Sequence, residues 1–131
     1  MEYKEVIRSQ ELSELCESIR ALASCKEYTR CKSMICQAMQ DYPSAPQPHN
    51  LLGVILEMTG SHEAAMRHFR AARALDPTYS PSSQNLARYG TFSSIGKTAY
   101  DECDCRESIT ATEEVRYNPG AMKQMIRRKT V

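Results

Sequence analysis

Apolar residues fall into blocks of helical spacing separated by turn signals. Leu12, Leu15, Ile19 and Leu22 recur every three or four positions and predict a helix from about Gln10 to Ser24. A turn near Cys25 and Lys26 leads into a partner helix from about Glu27 to Gln40, which ends before Asp41-Tyr42-Pro43. The stretch PSAPQP follows, with Pro46 and Pro48 placed where the first turn of a helix tolerates proline. Leu52, Val54, Ile55, Leu56 and Met58 predict the next helix. Ala65, Met66, Phe69, Ala72, Arg73 and Leu75 predict the one after it. Between them, Gly60 suits the left-handed residue beyond a helix end, and Ser61 is placed to cap the following helix with its hydroxyl. Asp76-Pro77 stops that helix, because proline cannot continue the ladder and pushes its predecessor out of helical geometry.

These blocks repeat. A shift of 34 residues pairs Leu22 with Leu56, Cys31 with Ala65, Ile35 with Phe69, Ala38 with Ala72 and Pro43 with Pro77. Small faces small, large faces large, and proline faces proline. A third unit opens at Ser80-Pro81, where Gln84, Leu86, Tyr89, Phe92 and Ile95 outline a single helix with no second helix behind it.

The second copy resembles a tetratricopeptide repeat through Leu52-Gly53, Leu56, Ala65, Phe69, Ala72 and Pro77 and the ALDP ending at residues 74–77. His49 stands where that family usually has tryptophan. The first copy matches mainly by register, with Ser18-Ile19 in place of Leu-Gly and Cys31 in place of the small alanine. The resemblance covers residues 10–95 and implies an all-α fold, a short α-solenoid of antiparallel helix pairs. It implies a repeat domain over 1–96, with repeats at about 12–45 and 46–79, a capping helix at about 80–96, and a tail over 97–131. It also implies a scaffold that receives a peptide on the concave wall made by the first helix of each unit. That wall would present Ser13, Cys16 and Arg20, then Asn50, Val54 and Glu57, then Gln84, Asn85 and Arg88. Arg20 and Arg88, with Asn50 and Gln84 between them, would suit an extended peptide bearing a carboxylate. Cys16 and Val54 stand where the chaperone-binding members of the family carry lysine and asparagine, so a chaperone tail is not the expected partner.

Composition adds exclusions. With 131 residues the chain has room for about one domain, and a net charge of +1 provides no field that would recruit nucleic acid or a membrane. The start, MEYKEVIRSQELSELC, has neither the basic opening nor the apolar run of a secretory signal, so a cytoplasmic location is expected. Leu51 to Leu56 is the longest apolar run, well short of the roughly 20 residues that span a bilayer. Six cysteines without an oxidising compartment read as thiols, with Cys31 and Cys36 at apolar helical positions. The methionines Met34, Met39, Met58 and Met66 read as packing residues between helices.

Candidate chemistry is sparse. Gly96-Lys97-Thr98 lacks the glycine spacing and preceding strand of a phosphate-binding loop. Cys103 and Cys105 offer two thiols where a structural zinc site needs four ligands, so a metal or redox role for the pair is an alternative only. The three histidines are explained by repeat positions, and no acid, base and nucleophile converge, so neither an enzyme nor a cofactor is expected. The tail changes from acidic (DECDCRESITATEE) to basic, and Arg127-Arg128-Lys129 offers a second alternative, contact with nucleic acid. Asn118-Pro119 begins a short helix bearing Met122, Met125 and Ile126, too short to stand alone and expected to dock or stay unfolded. Because two units and a cap bury little, either that helix folds back into the groove or two chains pair through the edge near Tyr89, Phe92 and Ile95.

Overall fold

The computed structural model describes residues 2–90 and 98–105. Over that range the chain is all-α. Its helices are α1 (Glu2–Ser24), α2 (Tyr28–Asp41), α3 (Pro46–Met58), α4 (His62–Leu75) and α5 (Ser80–Tyr89). Connections of three or four residues reverse the chain, so each helix packs on the next, while α3 also packs on both α1 and α5. Alternate helices therefore form one continuous wall, with α2 and α4 behind it. None of the described helices is long and apolar enough to cross a membrane.

The period visible in the sequence is built into the backbone hydrogen bonds. At the end of α1 the Glu27 N–H donates to Leu22 C=O (2.9 Å) and the Lys26 N–H to Ala23 C=O (3.0 Å). At the end of α3 the Ser61 N–H donates to Leu56 C=O (2.8 Å) and the Gly60 N–H to Glu57 C=O (3.2 Å). Both are Schellman turns, which satisfy carbonyls a helix end would leave bare and require a left-handed residue. Gly60 takes φ 92° and Lys26 takes φ 61°. The second turn of each unit repeats as well: Tyr42 donates to Ala38 and Ala45 to Tyr42 after α2, Asp76 to Ala72 and Tyr79 to Asp76 after α4.

Two apolar clusters fill the space between the layers. One holds Cys16, Ile19, Ala23, Cys31, Ile35, Leu51 and Ile55; the other holds Val54, Ala65 and Phe69 with Leu86 and Tyr89 packed against it. Gly53 lets α3 approach α4: a Cβ there would lie 2.5 Å from Phe69 Cε1. The Phe69 ring in turn stacks on Tyr89, with centroids 6.0 Å apart, which fastens α5 to α4. His49 is half-buried rather than a core residue. It stacks on His68 at 5.4 Å between centroids, and burial lowers the pKa of both rings, so the pair is held neutral near pH 7.

Several details differ from the sequence expectation. α1 starts at Glu2 rather than near Gln10, because nothing in EYKEVIRSQ breaks a helix; the added turns carry exposed Tyr3, Val6 and Ile7. The Ser61 hydroxyl makes no cap bond; its carbonyl instead accepts the Ala65 N–H at 2.9 Å. Cys36 is exposed while Cys31 is fully buried, and Met58 is exposed while Met34, Met39 and Met66 pack against the core. Phe92 and Ile95 of the expected edge, and the expected tail helix at residues 118–126, lie outside the described residues.

Two substitutions test these close approaches by opposite signs. Gly53→Ala should lower stability by about 1–3 kcal/mol, because the Phe69 ring cannot yield without disturbing its stack on Tyr89. Lys26→Gly should raise stability by about 0.5–1 kcal/mol by relieving the left-handed conformation. Urea midpoints at constant slope measure both, and a Lys26→Gly midpoint at or below that of the parent would contradict the assignment.

Candidate functional site

The wall of α1, α3 and α5 is occupied. Residues 98–105 lie against it, and the contacts come from the side chains of all three helices. The central ones are two buried asparagines, Asn50 on α3 and Asn85 on α5, neither of which has any exposure. Asn85 takes the backbone of Ala99 from both sides: its Nδ2 donates to Ala99 C=O at 2.8 Å and its Oδ1 accepts the Ala99 N–H at 2.9 Å. Asn50 Nδ2 donates to the same carbonyl at 3.0 Å, and its Oδ1 accepts from Asn85 Nδ2 at 2.8 Å. Both protons on Asn85 Nδ2 are thus used, and each amide fixes the orientation of the other. Ala99 is fully buried, so the position under the asparagines accepts only a small side chain.

Tyr100 comes next and packs against both apolar clusters, one containing Cys16 and the other Val54. The Arg20 guanidinium lies 5.1 Å from its ring centroid, in cation–π contact. Burial raises the Tyr100 phenol above its ordinary pKa, and the neighbouring Tyr89 adds to the effect. Thr98 is tied to Tyr89 through their hydroxyls.

The acidic half then turns back on itself. A single helical turn at 102–105 follows a bend at Asp101, whose Oδ1 accepts the Cys103 N–H at 3.0 Å. Asp104 is folded under this turn, its side chain only 8% exposed. Its Oδ2 accepts the Tyr100 N–H at 2.8 Å, and Arg20 Nη1 reaches both of its oxygens, at 3.0 and 3.1 Å. Arg20 Nη2 lies 3.2 Å from Asp101 Oδ1 and 3.8 Å from Glu17 on its own helix. One guanidinium therefore reads two aspartates three residues apart and covers the aromatic ring just before the first of them, with hydrogen bonds strengthened by charge.

The residues expected to form the groove divide accordingly. Arg20 and Asn50 bind the segment directly, as does Asn85. Cys16 and Val54 belong to the buried floor beneath Tyr100 rather than to an open surface, with Cys16 1% and Val54 0% exposed. Burial, then the charge of Asp101, pushes the Cys16 thiol up to about 12, so at neutral pH it is an unreactive apolar group beside Tyr79. Glu57 pairs with His62 at 2.5 Å. Gln84 is half-buried on α5, and the Arg88 guanidinium lies 5.2 Å from the centroid of the Tyr89 ring.

Cys103 is exposed, whereas Cys105 is buried beside Ser80, where burial raises its pKa. Among the described residues no group of three or more histidine, cysteine or acidic side chains could hold a metal. Gly96 and Lys97 of the incomplete phosphate-loop pattern lie outside the described residues, as do Arg127, Arg128 and Lys129.

Arg20 and Asp104 should be strongly coupled. The carboxylate is buried and the guanidinium about one-third exposed, so a double-mutant cycle with Arg20→Ala and Asp104→Ala should return about 1–3 kcal/mol of interaction energy. A coupling below roughly 0.5 kcal/mol, the range of exposed pairs, would contradict this geometry.

No family model, curated protein or solved structure matches the chain.

Proposed function

We propose that this protein is an adaptor of the tetratricopeptide kind, which holds a short stretch of polypeptide on the wall of α1, α3 and α5 and performs no chemistry. The observation that carries this reading is the occupied wall. Eight residues in non-repeat conformation are gripped there by their backbone at Ala99 and by their side chains at Tyr100, Asp101 and Asp104. Backbone capture by asparagine amides is a general way of holding a peptide, because it asks nothing of the bound side chain except that it be small.

Support for the tetratricopeptide assignment is the 34-residue recurrence of both the helices and their terminal hydrogen bonds, together with Gly53 against Phe69 and the Leu75-Asp76-Pro77 ending. In proteins of that architecture the first helix of each unit lines the concave face, and on this reading α1, α3 and α5 correspond to those helices. A wall built mostly of buried apolar floor, two amides and one guanidinium binds and orients; it offers no nucleophile or base to a substrate.

A peptide added in trans tests the reading. Ala99→Pro removes the N–H that Asn85 accepts and should release the chain's own segment from the wall. The full chain carrying that substitution should bind a labelled peptide of sequence 98–105, followed by fluorescence anisotropy, and adding Arg20→Ala should weaken the binding about tenfold or more, in line with a lost charge-assisted contact. Failure of the Ala99→Pro chain to bind the peptide would sink the proposal.

A further inference from the structure

The contacts made by residues 98–105 specify their occupant position by position. At 99 the side chain is fully enclosed, which demands a small residue; at 100 a flat ring fits between the two apolar clusters and beneath a guanidinium. At 101 and 104 a carboxylate meets Arg20, the second of them almost completely buried. Glu102 and Cys103 between them are exposed, so neither side chain is enclosed. We infer that the partner of this protein is an acidic segment of another polypeptide with the pattern small–aromatic–Asp–any–any–Asp, and that residues 98–105 are a built-in competitor occupying the wall until such a segment displaces them. This rests on the peptide-binding reading above and adds to it the chemistry of the ligand and a regulatory state.

Several features favour an exchange of like for like. The contacts on Ala99 and Asp104 are polar and directional, so a replacement that restores each hydrogen bond leaves no buried group unsatisfied; any small residue can meet the two asparagines with its backbone, whereas a peptide without the two carboxylates would strand Arg20. Charge complementarity points the same way: Asp101 and Asp104 both meet Arg20, which on its own helix has Glu17 at 3.8 Å, so a bound segment without negative charge would leave Arg20 undercompensated in a partly buried setting. A tethered segment also acts at an effective concentration near the millimolar range, so it lowers the fraction of molecules with an open wall and weakens the apparent affinity for a partner by that fraction.

The test compares two peptides on three full-length chains. The acidic peptide has sequence 98–105; the neutral control has asparagine at the positions of Asp101 and Asp104. The chains are the parent, a chain with Asp101→Asn and Asp104→Asn, and the Ala99→Pro chain, which releases the segment by a different route should the first variant fold poorly by circular dichroism. The acidic peptide should bind both variants at least about tenfold more tightly than the parent, the neutral peptide should bind about tenfold more weakly than the acidic one, and the preference should shrink as salt is raised. Equal binding of the two peptides would overturn the acidic specificity while leaving peptide binding intact. Equal affinity of parent and variants for the acidic peptide would overturn the competitor role. No binding by any chain would overturn this inference and the peptide-binding reading together. A concentration-dependent dimer of the parent in light scattering, dissociated by the acidic peptide, would identify the occupant as a second copy of this chain and overturn the foreign partner.

Discussion

Two buried side-chain amides govern what this molecule can be. Asn50 and Asn85 lie on facing helices with no exposure, and each has two donors and an acceptor to satisfy. Each can satisfy part of the other, and the remaining capacity goes to one peptide unit, that of Ala99. A wall so lined has two comfortable states, one covered by water and one covered by backbone; dry and uncovered would cost about 1–3 kcal/mol for each group left bare. Under the proposed peptide-binding role, the asparagines would make the surface receptive to polypeptide without making its loss catastrophic, which is the condition a reversible binding surface has to meet.

Around that centre the scaffold is rigid for reasons unrelated to binding. The matched Schellman turns at residues 22–27 and 56–61 set the angle at which each back helix returns, and the close contact of Gly53 with Phe69 sets the depth at which α3 meets α4. Because α3 touches both α1 and α5, any change in its position moves Asn50 relative to Arg20 and Asn85 together. Tyr100 links the two apolar clusters across this helix, so seating the segment also ties the first unit to the second. The short array, which buries little on its own, gains a share of its core from its occupant.

Much of the scaffold was legible in the sequence, because hydrophobic spacing and turn residues are local signals. The spacing of Leu12, Leu15, Ile19 and Leu22 located the α1 core, and Pro77 marked the end of α4. Lys26 hid its left-handed conformation because only its register with Gly60 betrays it, and the early start of α1 was masked by exposed apolar residues that contribute no periodic face. At the site, Arg20 and Asn50 could be found by projecting the repeat onto one face. The occupant could not, since its decisive contacts are the N–H and C=O of Ala99, which every non-proline residue possesses. Its one sequence signal was complementarity, an acidic run downstream of a wall carrying Arg20, and reading 97–131 as one appended tail concealed it.

The proposed exchange requires the segment to be seated in the isolated protein and to leave when a matching one arrives. Amide hydrogen exchange of the full chain at Ala99 measures this directly, because its N–H is bonded to Asn85 of the wall only while the segment is in place. Protection of the Ala99 amide in the free protein, lost on addition of the acidic peptide while the amides of α3 and α4 remain protected, is the predicted result. Rapid exchange at Ala99 in the free protein, or protection that no acidic peptide removes, would contradict it.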